Sequence, residues 1–340
     1  MLMKKFELYN VQALVATEDD KGMKLSRVPE VVRSALNENA QRTAFNGCGV
    51  EIRFNLHSEK ARVVLRKLPN SAISLHGVAE VYHGGFQGSY DLCPQHIGLS
   101  DSEIVMHASP QLSELRQLTQ RFDIPYDPSL IRILLPYDCP TLFISLEGDT
   151  SPPRPEQTPS RRMLAYGSSI THGGGSVAPS ETYAMNTARL LKMDLINLGF
   201  AGSAHMEPEM ADYIASRDDW EIATLEMGIN VIGTWSPETF AERIDYFIET
   251  VAHAHPDRWI FCIDMFTNYN DLVSPQKATV FRNIVRDKVA ALRMPRVIHL
   301  DGTHLLPGYL GLSADLVHPS PFGMLDISQR LASEIKKHIT

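Results

Sequence analysis

Residues 164–175 read LAYGSSITHGGG, an apolar run that stops at a glycine and continues into two serines and further glycines. Together with Arg162 and Met163, the apolar part has the length of a short buried strand. In an open α/β sheet, ligands bind beyond the carboxyl ends of the strands, which is where these serines stand. The stretch therefore predicts a strand that carries Ser168 and Ser169 to a site, provided that the flanking sequence forms such a sheet.

The sequence after this stretch alternates between short apolar runs and longer amphipathic segments. The strand-like runs are RMLAYG, DLINLGFAG, EIATLEMGIN, RWIFCIDM and RVIHLDG. Three of the intervening or following helical segments open with Ser-Pro, which suits a helix start because serine caps free N–H groups and proline fits the first position. The pattern predicts a mostly parallel, five-stranded sheet with helices on both faces, a three-layer α/β/α domain over residues 162–340.

The N-terminal part of the chain has a different pattern. In VEIRFNL, residues 50–56, apolar side chains alternate with polar ones, as in a strand with one buried face. Further short runs follow, namely ARVVLRK, SAISLHGVAEVYHGGF, IRILLP and TLFISLEGD. These runs predict an N-terminal β-sandwich over residues 1–150, with one helix over residues 29–40. Four prolines in SPPRPEQTPSR, residues 151–161, predict an extended, semi-rigid linker between the two domains.

Composition and charge argue against several classes of function. The chain has 340 residues, of which 44% are hydrophobic, and a net charge of −8. It has no basic stripe interleaved with aromatic residues and no apolar stretch of about 18 residues, so neither a nucleic-acid partner nor a membrane span is expected. The N-terminus is a poor signal peptide because polar residues interrupt its apolar stretch. Four scattered cysteines without a C-x-x-C pair predict buried, reduced thiols and a cytoplasmic protein.

Polar residues beside the predicted strands and the last helix fit nucleophilic catalysis. Ser169 is the candidate nucleophile, and its hydroxyl needs a base that removes the proton during attack on an acyl carbon. DLVHPSPFG, which leads into the last predicted helix, contains a candidate base, His318, and a carboxylate, Asp315, that would orient it. An offset of three residues lets one short turn carry both groups. The sequence thus predicts a Ser169–His318–Asp315 triad.

The same arrangement predicts donors for an oxyanion, which nucleophilic attack on an acyl group creates. The candidates are the backbone N–H groups of Ser169 and Gly202 and the side-chain amide of Asn230, which all follow predicted strands. A glycine at position 202 suits this role because a side chain would obstruct the approach to the backbone. Neither a metal ion nor another cofactor is expected, and the sequence has no His-Glu-x-x-His motif.

Taken together, these segments resemble the SGNH hydrolases, also called the GDSL family, which are named for Ser, Gly, Asn and His residues in four blocks. YGSSITHG resembles the first block, NLGFAGSA the second, EMGIN the third and DLVHPSPFG the last. The resemblance spans roughly residues 161–338. It implies a flavodoxin-like catalytic domain, here preceded by a jelly-roll-like β-sandwich. It also implies the same triad and oxyanion residues that the chemical argument selects.

Two positions depart from the family pattern. Ser168 stands where the family name implies Asp, and Val231 follows Asn230 where Asp is common. Neither position carries out the chemistry directly, so the predicted mechanism is unaffected. The GSSIT form of the first block, with a β-rich domain in front, resembles a bacterial subgroup that includes carbohydrate-type esterases and a natural-product acyltransferase.

Competing residues exist for the nucleophile and for the base. Ser168 is an alternative nucleophile, but the alignment of the first block favours Ser169. Asp301 and His304 form a second Asp-x-x-His pair, directly after the last predicted strand. We prefer the pair at 315–318 because a proline, a glycine and an amphipathic helix follow it at once.

The sequence predicts a serine esterase for short-chain acyl esters, with O-acetyl groups on carbohydrates as candidate substrates. Two alternatives stay open: an acyltransferase that uses the same triad to acylate a small-molecule alcohol, and a non-catalytic carbohydrate-binding protein. The N-terminal domain is interpreted as a wall of the site or as a contact in a homo-oligomer. The other interpretation is carbohydrate binding through aromatic residues such as Tyr82, Phe86 and Tyr90.

Two further residues are candidate substrate contacts, His172 in the loop after the serines and Trp235 shortly after Asn230. Trp235 is equally consistent with a core position beneath a helix start. A short, walled pocket would favour acetyl over octanoyl chains, because each methylene that cannot be buried forfeits about 0.8 kcal/mol of binding.

Overall fold

A computed structural model of the chain describes residues 5–17, 21–69 and 77–339. The first six residues of the predicted strand SAISLHGVAEVYHGGF, 71–76, lie outside these ranges, and the strand is described from Gly77 onward.

The N-terminal unit is built from antiparallel strands. In chain order these are β1 (Glu7–Tyr9), β2 (Ala13–Ala16), β3 (Met23–Ser26), β4 (Glu51–Leu56), β5 (Lys60–Lys67), β6 (Gly77–His83), β7 (Phe86–Gln87), β8 (Gln95–Ile97), β9 (Ser102–His107), β10 (Leu130–Leu134), β11 (Thr141–Glu147) and β12 (Thr150–Ser151). One sheet has the order β1-β4-β10-β6-β7, with β12 on β4 and β8 on β6, and the other has the order β2-β3-β11-β5-β9. Ile52 and Phe54 of the first sheet share a core with Val63 and Leu65 of the second, so the predicted sandwich is confirmed.

The predicted helix over residues 29–40 is wrong as a single element. The chain forms two short helices there, α1 (Glu30–Arg33) and α2 (Glu38–Thr43), and the side chain of Asn37 caps the second by accepting the N–H of Ala40. Because an N-cap residue has non-helical backbone angles, Asn37 separates the two helices. A further helix, α3 (Leu112–Phe122), was not predicted.

The C-terminal unit confirms the predicted five-stranded parallel sheet with helices. Its elements are β13 (Arg162–Gly167), α4 (Ser169–His172), α5 (Tyr183–Leu190), β14 (Asp194–Gly199), α6 (Pro208–Ala215), β15 (Ile222–Glu226), α7 (Pro237–Ala254), β16 (Trp259–Ile263), α8 (Asn270–Val273), α9 (Pro275–Leu292), β17 (Val297–Leu300), α10 (Gly302–Leu305) and α11 (Pro321–Ile339). The strand order is β14-β13-β15-β16-β17, and every neighbouring pair is parallel.

Both faces of this sheet are covered because successive side chains of a strand point to opposite sides. Leu164 and Tyr166 of β13 join the core beneath α6, α7 and α9. Met163 and Ala165 join the core beneath α5 and α11. This arrangement explains why the strands have no polar alternation in the sequence, whereas their helices are amphipathic.

Strand β4 is more buried than its alternating sequence pattern predicts. Its polar side chains Glu51, Arg53 and Asn55 are at most 4% exposed, because the C-terminal unit and the proline-rich segment cover the face that was predicted to meet solvent. Arg53 forms two hydrogen bonds of 2.7 Å with the carboxylate of Asp194, at the start of β14. Buried charges are stable only when they are paired in this way.

The proline-rich segment 151–161 runs along the N-terminal unit. Ser151 pairs with Asn55 of β4, and Pro155–Gln157 form a short 3-10 turn. The side chains of Gln157 and Asn55 exchange two hydrogen bonds, of 2.9 and 2.7 Å. The segment is therefore held along a sheet edge and does not bridge open space between the units.

Candidate active site

The two serines after β13 have different environments. The hydroxyl of Ser168 accepts the N–H of Ile170 at 3.1 Å and caps α4, and its side chain is buried. Ser169 is the first residue of α4 and is partly exposed. The hydroxyl of Ser168 is thus used to cap the helix, whereas Ser169 is accessible at the surface of the site.

Ser169, His318 and Asp315 form a continuous chain of hydrogen bonds. Nε2 of His318 lies 2.7 Å from Oγ of Ser169, and Nδ1 lies 2.7 Å from Oδ2 of Asp315. The carboxylate also accepts the backbone N–H groups of Val317 and His318, at 2.8 and 2.9 Å. Burial opposes ionisation, but the hydrogen bonds outweigh it and hold the pKa of Asp315 well below its usual range. An ionised carboxylate in this position can orient the imidazole so that Nε2 faces the serine hydroxyl, as the predicted triad requires.

The alternative pair at 301–304 does not reach Ser169. Asp301 caps α10 by accepting the N–H of Thr303 at 2.8 Å. The side chain of His304 is 64% exposed, and its nearest carboxylate is that of Glu334, at 3.7 Å. Of the two Asp-x-x-His pairs, only the pair at 315–318 meets the serine.

The three predicted oxyanion donors lie just beyond the carboxyl ends of three adjacent strands, β14, β13 and β15. Among the described residues, the backbone N–H groups of Ser169 and Gly202 donate to no other group. Gly202 has φ +65, a left-handed conformation that a glycine adopts without strain. Asn230 accepts the N–H of Ala204 at its Oδ1, 3.1 Å away, so its Nδ2 is the end left to donate.

Glu226, the last residue of β15, was missed as a member of this site. Its Oε2 accepts the N–H of Ser168 at 2.6 Å and the hydroxyl of Thr171 at 3.2 Å. The side chain is buried, and burial raises the pKa of Glu226. A carboxylate at the end of an otherwise apolar strand was the signal in the sequence. Through these two bonds Glu226 fixes the turn between β13 and α4 that carries Ser169.

His172 is the last residue of α4, and both of its ring nitrogens form hydrogen bonds. Nδ1 donates to the carbonyl of Gly199 at 2.9 Å, and Nε2 accepts the amide of Asn46 at 3.2 Å. Burial, with the charge of Arg27 nearby, lowers the pKa of His172 to about 3, so the ring is neutral. The residue lines the cleft beside Ser169, but both nitrogens already have partners, and the bond to Asn46 joins the two units.

Trp235 lies away from that cleft. Its ring packs against His205, with the centroids 5.5 Å apart, and the guanidinium of Arg243 lies 5.7 Å from its centroid. It also packs on the core beneath α6, α7 and α9. The packing favours the core interpretation of this tryptophan.

A cleft of about 640 Å³ opens over Ser169 and His318, and the N-terminal unit forms most of its walls. Apolar and aromatic side chains such as Phe45 and Tyr137 alternate there with polar ones such as Asn39. By contrast, the aromatics considered for carbohydrate binding do not line it: Tyr82 is buried, and the largely exposed Tyr90 lies elsewhere. The contacts favour the wall interpretation of the N-terminal unit.

Two properties of the described residues bear on cofactors and membranes. No group of three or more His, Cys, Asp or Glu side chains within residues 5–17, 21–69 and 77–339 is arranged to hold a metal ion. Over the same ranges, none of the helices combines the length and apolar character that a bilayer span requires.

Comparison with known proteins identifies the family. Residues 160–336, just over half of the chain, match the GDSL-like lipase/acylhydrolase family. The chain belongs to this family. The predicted membership of the SGNH (GDSL) hydrolases is thus confirmed, whereas the subgroup marked by GSSIT stays a prediction. A comparison with curated proteins finds no match.

Several solved structures share the fold of this GDSL-like protein at low sequence identity. The salicylyl-acyltransferase SsfX3 from a tetracycline biosynthetic pathway is 17% identical, with a TM-score of 0.77 over 98% of this chain and 96% of that one. A family two carbohydrate esterase from Clostridium thermocellum, in complex with cellohexaose, is 16% identical, with a TM-score of 0.60 over 85% and 92%. The acetyl xylan esterase Est2A from Butyrivibrio proteoclasticus is 13% identical, with a TM-score of 0.57 over 98% and 96%. All three similarities extend over both units of the chain.

Proposed function

We propose that the protein is a serine esterase that removes short acyl groups, with O-acetyl groups on carbohydrates as the substrate class, through an acyl-enzyme on Ser169. The observation that carries the proposal is the unbroken hydrogen-bonded chain from Asp315 through His318 to Ser169. Its serine end opens into a cleft large enough for a small ester.

The proposed reaction has two halves. Oγ of Ser169 attacks the acyl carbon while Nε2 of His318 takes the hydroxyl proton, and Asp315 stabilises the imidazolium. The resulting oxyanion is stabilised by the N–H groups of Ser169 and Gly202 and by the amide of Asn230. The imidazolium gives its proton to the departing alkoxide, and a new Oγ–acyl bond remains. Water then attacks the acyl carbon while the same imidazole takes its proton; the Oγ–acyl bond breaks, the imidazolium returns the proton to Oγ, and the acid leaves.

A carbohydrate ester suits the mixed lining of the cleft. Sugar rings present apolar C–H faces and many hydroxyl groups, and the cleft offers Phe45 and Tyr137 beside amide and charged side chains, including Gln41, Lys24 and Arg42. The similarity in fold to enzymes named as carbohydrate and acetyl xylan esterases is consistent with this class. No long apolar groove is needed for a short acyl group.

The second candidate is an acyltransferase with the same triad. It is favoured by the similarity to a salicylyl-acyltransferase over nearly the whole of both chains. In that reaction an alcohol bound in the cleft, in place of water, attacks the acyl-enzyme. A non-catalytic carbohydrate-binding role is the weakest candidate, because a binding protein has no need for the aligned Ser169–His318–Asp315 chain.

The test is turnover of p-nitrophenyl acetate and of acetylated xylo-oligosaccharides by the intact chain, with Ser169→Ala as the control. Added methanol, glycerol or sugar alcohols should not divert the acyl group to a new ester in an esterase. Efficient diversion at millimolar alcohol would establish the transferase instead. Binding of oligosaccharides without any turnover would contradict both catalytic proposals.

A further inference from the structure

The N-terminal unit contacts the loop that carries Gly202, one of the proposed oxyanion donors. Asn39, in α2, donates from Nδ2 to the carbonyl oxygen of Ala201 at 3.1 Å. Asn37, which caps α2, donates from Nδ2 to the carbonyl oxygen of Ser203 at 3.0 Å. Each contact joins residues more than 160 positions apart in the chain. Both asparagines therefore bind the second-block loop across the boundary between the units.

The Asn39 contact determines where the N–H of Gly202 points. The carbonyl of Ala201 and the N–H of Gly202 belong to one planar peptide, and in a trans peptide they point in opposite directions. Gly202 is exposed and its backbone is left-handed, so no side chain of its own restrains this peptide. The hydroxyl of Ser203 is a second donor to the same carbonyl, at 3.1 Å. Anchoring the oxygen on one side keeps the N–H directed to the other.

The Asn37 contact acts on the third donor by the same geometry. The carbonyl of Ser203 shares a peptide with the N–H of Ala204, and this N–H donates to Oδ1 of Asn230. An amide whose oxygen is held in this way presents its Nδ2 on the other side. Asn37 thus acts on the orientation of the Asn230 side chain through the peptide between Ser203 and Ala204.

We infer that Asn37 and Asn39 are positioning residues for the oxyanion hole. Through them the N-terminal unit orients the oxyanion donors, in addition to forming a wall of the cleft. The inference rests on the proposed esterase function. Neither asparagine touches the reacting atoms; each acts through a backbone peptide on a donor that does. An oxyanion donor is effective only when it is preorganised, which is the property that these contacts supply.

The test uses Asn39→Ala and Asn37→Ser in the intact chain. Alanine favours the helix at position 39, and serine preserves the cap at position 37 while being too short to reach Ser203. Ser34→Ala is the matched control, because Ser34 is exposed, lies before α2, and its hydroxyl donates to the carbonyl of Val31 within the N-terminal unit. We expect each asparagine variant to lose about tenfold to a hundredfold in kcat, with KM and the melting temperature close to those of the control.

Inhibition by a small alkylboronic acid separates positioning from a general structural role. The hydroxyl of Ser169 adds to the boron, its proton passes to His318, and the adduct is a tetrahedral anion that resembles the oxyanion. If the inference holds, Ki for the boronic acid rises by about the same factor as kcat/KM falls. An unchanged Ki, or full activity in both variants, would overturn it. Activity that survives Ser169→Ala would instead overturn the proposed function itself.

Discussion

Gly174 lies directly against the ring of His318: a Cβ at position 174 would be 2.9 Å from Cδ2 of the imidazole and 3.0 Å from the carbonyl oxygen of Ser169. The glycine run after the serines therefore makes room for His318, the proposed base, which comes from a segment far along the chain.

Gly174→Ala should consequently reduce kcat by about tenfold to a hundredfold, since a displacement of the base of less than an ångström misaligns the proton transfer. The backbone at 174 is not left-handed, so the effect is one of contact and not of strain. Gly233→Ala is the matched control, because a Cβ there would meet nothing within 4 Å. Steady-state kinetics on p-nitrophenyl acetate checks this, and equal activity of the two variants would contradict it.

Replacement of the two serines should have unequal effects. Ser169→Ala should lower kcat by about 10⁴-fold or more, because the covalent route is lost. Ser168→Ala removes a helix cap and should cost about 1 kcal/mol of stability with a far smaller loss of rate. An organophosphate adduct located by mass spectrometry should be found on Ser169. Similar rate losses in both variants would refute the assignment.

The two histidines of the Asp-x-x-His pairs provide a second contrast. His318→Ala should abolish acylation near neutral pH and should be partly rescued by added imidazole, which can occupy the vacated space as a base. His304→Ala should stay close to the parent protein, because that side chain is largely exposed and far from the serine. Burst kinetics with and without imidazole measures the difference; the opposite pattern would move the base to His304.

His172 should make stability dependent on pH. An exposed histidine has a pKa of about 6.5, whereas that of His172 is lowered to about 3, so between these values the unfolded chain binds a proton that the folded chain does not. Stability is therefore lost as pH falls, by about 1.4 kcal/mol per pH unit from this group. His172→Asn can retain the bond to Gly199 without the titration. Urea unfolding at pH 7 and pH 5 should show a smaller decrease for the variant, and parallel decreases would contradict this.

Acyl-chain preference tests the proposed substrate class. We expect kcat/KM to fall from acetyl and propionyl to octanoyl p-nitrophenyl esters, since each methylene left in solvent forfeits about 0.8 kcal/mol. Because Trp235 packs on His205 and the core, Trp235→Ala should lower the melting temperature and keep this profile. A maximum at octanoyl would favour a lipase. A shift of the variant toward longer chains would place Trp235 in the acyl pocket.

Much of the C-terminal unit could be predicted from local sequence. Its strands are continuous apolar runs, and the Ser-Pro pairs mark helix starts; Ser236 and Ser320 do cap α7 and α11, although Ser274 makes no capping bond. Ser169, Gly202 and Asn230 all follow strands of one parallel sheet, so topology alone brings them to one edge. His318 and Asp315 were found through their spacing and their place before the last helix. Their catalytic roles stay predictions that the variants above can test.

The sequence by itself determined the five strands of the C-terminal sheet, its long helices and the sheet edge at which the candidate site lies, because periodicity and strand-end positions are local properties. Only the tertiary structure decided what lies across the boundary between the units. The burial of Arg53, the neutral state of His172 and the contacts of Asn37 and Asn39 depend on surfaces supplied by segments more than a hundred residues away. No local pattern encodes such partners, since each polar side chain there looks like an ordinary exposed residue until the second unit removes the water around it.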